Sequence, residues 1–216
     1  LSNDLGADLP GLDLHDQFWR LEAEQPSACG DVDATVGPRR GLINLEALGS
    51  EQLSDQAAVQ MGTGATWTLA GTERIQSLAG TGNIQVANGK SLYLQGTVGG
   101  TVFSGAIAGD GGLAIDGPAG RMTLSGANTF TGSLNAFGGV LTLTGSVATK
   151  TINIGDSGNS VNPQGYLILS GAGDHIADDA VVTITGMPSV SDAILRLNTN
   201  ETVGQVAVLG GKIEGA

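Results

Sequence analysis

From Leu53 onward, apolar and polar residues alternate in short bursts broken by glycine. The segments TWTLAG, GNIQVANG, KSLYLQG, GLAIDG, RMTLSG, GVLTLTG, KTINIG, GYLILSG, AVVTITG and AILRLNTN each hold about four to six residues of Val, Ile, Leu, Thr and Tyr and end at a turn residue. A period of two, rich in β-branched residues and punctuated by glycine, predicts strands. No helical pattern follows Gly62.

The stretch from Leu1 to about Ser50 is different. It mixes Pro10, Pro26 and Pro38 with DLHDQFWRLEAEQ, Asp13 to Gln25. That segment predicts a short helix with Asp13 or Asp16 as N-cap and Phe18, Trp19 and Leu21 on its apolar side. Two regions are therefore expected: residues 1–50, an irregular and partly helical cap or arm, and residues 51–216, the repetitive part.

The repetitive part contains an internal duplication. LSDQAAVQM, Leu53 to Met61, matches IADDAVVTI, Ile176 to Ile184, with Asp55 over Asp178, Ala57 over Ala180 and Val59 over Val182. Further on, Leu69, Glu73, Ile75, Leu78, Ala79 and Gly82 fall over Leu197, Glu201, Val203, Val206, Ala207 and Gly210. The offsets are 176 − 53 = 123 and 197 − 69 = 128, so a five-residue insertion around Met187 to Asp192 accounts for the difference.

Strands this short and numerous leave a sandwich, a propeller or a solenoid. A sandwich leans on large aromatics and Asn-Gly hairpin turns, and Asn88-Gly89 is the one such pair. The expected fold is all-β, a right-handed single-stranded parallel β-helix, because its coils need small residues at corners and bury aliphatics in a narrow prism. At a strand spacing of ~4.8 Å, Leu53 to Ala216 predicts roughly eight coils and a rod about 40 Å long.

Composition sharpens this picture. With 36 glycines among 216 residues, 4% aromatic and 40% hydrophobic content, small residues and aliphatics must build the core. The formal charge is −12, from 21 Asp and Glu against nine Lys and Arg. Such a chain repels phosphate backbones, which argues against nucleic acid as a partner. The charge is concentrated: Leu1 to Asp55 holds eleven acids against Arg20, Arg39 and Arg40. Cys29 is the single cysteine, which excludes an internal disulfide. No apolar run reaches the ~20 residues of a membrane helix, and no direct membrane insertion is expected. The opening residue is Leu1 rather than Met, as in a processed product or an excised fragment.

One stretch carries a family resemblance. FSGAIAGDGGLAIDGPAGRMTLSGANTFTGSLNAFGGVLTLTG, Phe103 to Gly145, resembles the passenger-associated transport repeat, or autotransporter-associated β-strand repeat, of bacterial autotransporter passengers and related surface proteins. The tandem LSGANTFTG carries it, through Ser125, Gly126, Asn128, Thr129, Phe130 and Gly132, together with Gly139 further on. NETVGQVAVLGG, Asn200 to Gly211, is similar to sequences found between such repeats, and TERIQSLAGTG, Thr72 to Gly82, looks like a second copy. The resemblance covers about Gly49 to Ala216 and implies a secreted parallel β-helix. It departs at Ile115-Asp116-Gly117-Pro118-Ala119-Gly120, where an acid replaces a usual base and is expected to add negative surface.

Candidate chemistry is sparse. Asn128 is expected to satisfy backbone groups of adjacent coils, and Gly126 and Gly132 to serve corners by positive φ or close approach. Asp174, His175, Asp178 and Asp179 in AGDHIADD form the candidate ligand cluster, expected as a solvated turn with His175 exposed beside its acids and no matching acid or basic cluster one coil away. GDGGLAID, Gly109 to Asp116, is one imperfect copy of the calcium nonapeptide, which makes Asp110 and Asp116 the calcium candidates; the expectation is no cofactor. His15 and His175 lack a GxSxG partner. Trp19 and Trp67 are expected to pack, with sugar stacking as the alternative for an exposed ring.

These features predict a non-enzymatic extracellular module: a β-helical stalk or matrix segment at the surface of a Gram-negative-type bacterium, partnered by copies of itself or by surface glycans. The alternative is a β-helix that binds or cleaves polysaccharide.

Overall fold

The structure, a computed structural model, describes residues 35–36, 44–47, 49–118, 120–155, 165–186 and 193–215. It is an all-β parallel solenoid. Each turn of chain visits three faces in a fixed order, and each face is a sheet running along the rod.

Sheet A holds nine strands: Thr35–Val36, Ala58–Met61, Ser77–Gly80, Thr101–Phe103, Arg121–Leu124, Gly139–Leu143, Gly165–Leu169, Ile194–Leu197 and Lys212–Gly215. Sheet B holds Asn44–Ala47, Thr66–Leu69, Asn83–Val86 and Ile107–Ala108, and its face continues as the pair Ala127–Asn128 and Ser146–Val147 and the bridge from Val147 to Ile176. Sheet C holds Glu73–Ile75, Ser91–Leu94, Gly112–Ile115, Leu134–Ala136, Thr151–Ile154, Val181–Ile184 and Gln205–Val208. From Ala58 onward the sheet A strands start at 58, 77, 101, 121, 139, 165, 194 and 212, so a turn takes 18 to 29 residues and these eight strands enclose about seven turns.

The alternation read from the sequence is the alternation of burial. In Thr66–Leu69, Asn83–Val86, Ser91–Leu94 and Gly165–Leu169, every second side chain points inward and is buried. Parallel, in-register stacking then puts like on like: Leu92 over Leu113 over Leu134 on one face, and Leu124 over Leu143 over Leu169 on another. Trp67, Phe103 and Phe130 fill the wider parts of the prism and are fully buried. Burying one large apolar side chain contributes roughly 1.5–3 kcal/mol, so a column of them holds neighbouring turns together without any hairpin.

Corners impose a second rule. A Cβ on Gly105 would lie 1.7 Å from the Gly82 carbonyl oxygen, one on Gly126 2.0 Å from that of Gly105, and one on Gly145 2.1 Å from that of Gly126. Four glycines thus stack at one edge of the rod because successive turns approach too closely for a side chain. Gly126 and Gly132 serve by close approach, while Gly139 also needs its φ of +66°.

The helix expected over Asp13 to Gln25, with Trp19, lies outside the described residues, as do His15, Cys29, Ala119 and the insertion at Met187 to Asp192. Asn44–Ala47 pairs in parallel with Thr66–Leu69, and Thr35–Val36 with Gln60 and Met61.

Candidate functional site

Three arrangements carry what chemistry the rod has: the tie at Asn128, a pair of glutamates that reach across turns, and the acids around Asp174.

Asn128 is buried and joins three turns. Its Oδ1 accepts the Ile107 N–H at 3.0 Å, and its Nδ2 donates to the carbonyls of Gly126 at 3.0 Å and Ser146 at 3.1 Å. Ser125 and Thr129 beside it face solvent, and Phe130 enters the core. The repeat motif therefore alternates between a backbone tie, a surface and a core anchor.

Glu73 is fully buried, yet its carboxylate is satisfied. Oε2 accepts the N–H of Gln52 and Oε1 that of Leu53, both at 2.8 Å and both one turn back along the chain. Burial raises its pKa above the ordinary range, and these two donors partly offset the rise. Glu201, its counterpart in the duplication, does the same thing. Its Oε1 accepts the N–H groups of His175 and Ile176, each at 2.8 Å. Leu53 and Ile176 are the residues that the duplication sets over each other, so the sequence repeat is a repeated clamp.

The two clamps sit on different faces. Ala58–Met61 and Ser77–Gly80 belong to sheet A, whereas their counterparts Val181–Ile184 and Gln205–Val208 belong to sheet C. The duplicated unit is thus local, a strand, a corner and a reaching glutamate, and it works at either face of the prism.

His175 corrects an expectation. Its side chain is buried, 1% exposed, and turns inward because the next turn supplies a carboxylate to receive it. Nδ1 lies 3.3 Å from Glu201 Oε2, and Nε2 lies 3.1 Å from the Ser170 carbonyl oxygen. The carbonyl can only accept, which assigns a proton to Nε2. Nδ1 then faces the Glu201 carboxylate across the turn. Glu201 and Lys150 are single charges one coil away on either side, and the alignment of Glu201 with Glu73 is the sequence signal for the first.

Asp174, Asp178 and Asp179 are exposed, as a solvated turn requires. Contact with Glu201 raises the pKa of Asp174, and contact with Asp174 raises that of Asp178, because carboxylates that approach each other share protons. Asp179 points elsewhere: Lys150, from the preceding turn, bonds it and lowers its pKa. The four residues of the candidate cluster therefore divide into a buried histidine, a proton-sharing acid pair and a surface ion pair.

The calcium candidates are likewise apart in their bonding. Asp110 accepts the Thr131 hydroxyl at 2.9 Å, and Asp116 is ion-paired to Arg74, two turns back. Arg74 also lies 4.7 Å from the centre of the Tyr93 ring. Asp116 consequently adds no free negative charge to the surface, contrary to expectation, since Arg74 supplies from another turn the base that its own corner lacks. Among the described residues, no three His, Cys, Asp or Glu side chains are placed to hold a metal ion. Trp67 is fully buried, which removes it from any sugar-stacking surface.

At the C-terminal end of the described rod the core is open. Leu197, Val203 and Val206 are partly exposed, and Ile213, whose register partner Leu195 is buried, is 45% exposed. The strands Lys212–Gly215 and Gln205–Val208 are the outermost members of sheets A and C, each paired on one side among the described residues.

No family model, curated protein or solved structure matches the chain.

Proposed function

We propose that the protein is a non-enzymatic structural module, a β-helical stalk or matrix segment of a bacterial surface protein that joins further solenoid through its ends. The observation that carries this reading is the open final turn. Val206 and Ile213 continue the inward columns of the rod with no described residue stacked on them, and the two strands that carry them are each paired on one side among the described residues. An edge of this kind pairs with another strand unless something blocks it, and strand addition is a known mode of protein recognition. The partner that fits both the edges and the apolar columns is another coil of the same build.

The site chemistry supports the same reading. Asn128, Glu73 and Glu201 spend their polar atoms on backbone groups of adjacent turns, so they hold the rod together. The resemblance of Phe103 to Gly145 to passenger-associated transport repeats supports a place outside the cell.

Electron microscopy of the purified chain, with and without residues 1–50, tests this. Rods that lengthen with concentration are expected. Short rods of a single length in both preparations, at every concentration, would sink the assembly proposal.

A further inference from the structure

The corner that joins Asn83–Val86 to Ser91–Leu94 is longer than the corners stacked on it. Register gives the measure. The chain takes seven residue steps from Gln85 to Leu92, whereas the adjacent turns take five, from Thr68 to Glu73 and from Ala108 to Leu113. The base of the long corner is pinned to both neighbours: the Ala87 N–H donates to the Leu69 carbonyl at 2.9 Å, and the Lys90 carbonyl accepts the Gly112 N–H at 2.8 Å. The Lys90 N–H closes the corner onto the Ala87 carbonyl at 3.1 Å. The extra length therefore projects from the side of the rod as Asn88 and Gly89, both exposed and the one Asn-Gly pair of the sequence.

This tip is unengaged. Among the described residues neither the Asn88 side-chain amide nor the Gly89 N–H has a hydrogen-bond partner, and a Cβ on Gly89 would meet no atom within 4 Å. Gly89 has a φ of +70°, which together with the bond from Lys90 to Ala87 makes a type II turn. Type II and type I differ by a flip of the peptide between the two central residues, with ψ of the first moving from about +120° to about −30°. Here that peptide joins Asn88 to Gly89, and glycine has no Cβ to resist the flip.

We propose that Asn88 is a site of spontaneous deamidation, with solvent water as co-reactant. The backbone nitrogen of Gly89 attacks Cγ of Asn88, forming a five-membered succinimide; the bond from Cγ to Nδ2 breaks, and Nδ2 leaves as ammonia with the proton that Gly89 gives up. Water then opens the ring at either carbonyl. Opening at Cγ gives aspartate, and opening at the main-chain carbonyl gives isoaspartate, whose backbone runs through the side chain. The net change is an amide and water to an acid and ammonia, which leaves one more negative charge on the side of the rod. The fold selects this site. Asp110-Gly111 and Asp116-Gly117 could close the same ring by expelling water, but the Gly111 N–H is held by the Val86 carbonyl at 3.0 Å and Asp110 by the Thr131 hydroxyl at 2.9 Å. Asp116 is bonded to Arg74, and Gly117 is buried where a Cβ would lie 1.8 Å from the Gln95 carbonyl oxygen. The inference concerns the side of the rod and stands whether or not its ends assemble.

Peptide mapping by mass spectrometry is the test, on the full chain incubated in warm, mildly alkaline heavy-oxygen water, folded or unfolded in urea, with isoaspartate scored by enzymatic methylation. The folded chain should take up solvent oxygen at position 88 as both aspartate and isoaspartate, and Asn88→Gln should show at least tenfold less conversion there. Unfolding should speed conversion at Asn88 by less than tenfold, and isoaspartate formation at Asp110 and Asp116 by at least tenfold. Equal conversion in Asn88→Gln, an acceleration of tenfold or more at Asn88 on unfolding, or isoaspartate at Asp110 or Asp116 of the folded chain as fast as at Asn88 would each overturn the proposal.

Discussion

The clamp at Glu73 and the clamp at Glu201 perform one task with different economy. In the first, each carboxylate oxygen takes one amide, Gln52 on Oε2 and Leu53 on Oε1. In the second, Oε1 takes both amides, which releases Oε2 to face the imidazole of His175. The residue that differs is the first clamped one, glutamine in one copy and histidine in the other. Where histidine stands in that place, one carboxylate oxygen faces a side chain instead of the backbone. The lesson is that a repeat in a solenoid preserves backbone satisfaction, not a face of the rod and not a particular partner set.

Removing the carboxylates is the severest way to break the comparison. Glu201→Ala strands two backbone donors and the buried imidazole, whereas Glu73→Ala strands two donors. Each buried group left unsatisfied costs about 1–3 kcal/mol, so both variants should lower stability by several kcal/mol, and Glu201→Ala by more. Urea denaturation monitored by circular dichroism reads the difference. A loss below about 0.5 kcal/mol for either variant would show that water replaces the carboxylate and that the clamp is not structural.

A milder change converts the second clamp into the first. In His175→Gln, Glu201 can divide its oxygens between the two amides as Glu73 does, and the loss should be about 1 kcal/mol, one hydrogen bond's net contribution. If His175→Gln instead costs the ~3–5 kcal/mol of a broken buried ion pair, the imidazole rather than the amides is what Glu201 is there for.

The smallest effect is a pH dependence. Burial raises the pKa of Glu73 in the folded state, so the folded protein holds that proton more tightly than the unfolded chain and the charged form is the disfavoured one. This contribution favours folding at low pH and declines as pH rises through the window above the ordinary carboxylate range. Glu73→Gln cannot titrate there. The gap in stability between wild type and Glu73→Gln should therefore narrow as pH rises from about 4 to 7, and a gap that widens would reverse the assignment.

Much of the fold was legible because each turn repeats a local pattern. All ten segments with a period of two between glycines are strands, from Thr66–Leu69 to Ile194–Leu197. The strands not legible in the sequence include those whose inward positions are small or whose run is short, such as Ser77–Gly80 and Leu134–Ala136. They are strands because their neighbours are: register with adjacent turns supplies the hydrogen bonds that their own composition does not advertise. The candidate cluster was harder for the same reason. GDHIADD is polar along the chain, and nothing in its seven letters says that His175 turns inward; that follows from Glu201, 26 residues away. The pairing of Asp116 with Arg74, 42 residues apart, was hidden in the same manner.

The central claim is that the open final turn is the working surface of a structural rod, and the length distribution of rods by electron microscopy tests it most directly when wild type is compared with Val206→Asp. Val206 lies on the inward column of the last turn and is partly exposed there, so a carboxylate at that position would be buried by any coil stacked on it. Wild-type rods should lengthen as concentration rises while Val206→Asp stays at the length of one molecule. Rods that lengthen equally in both proteins, or in neither, would contradict the account.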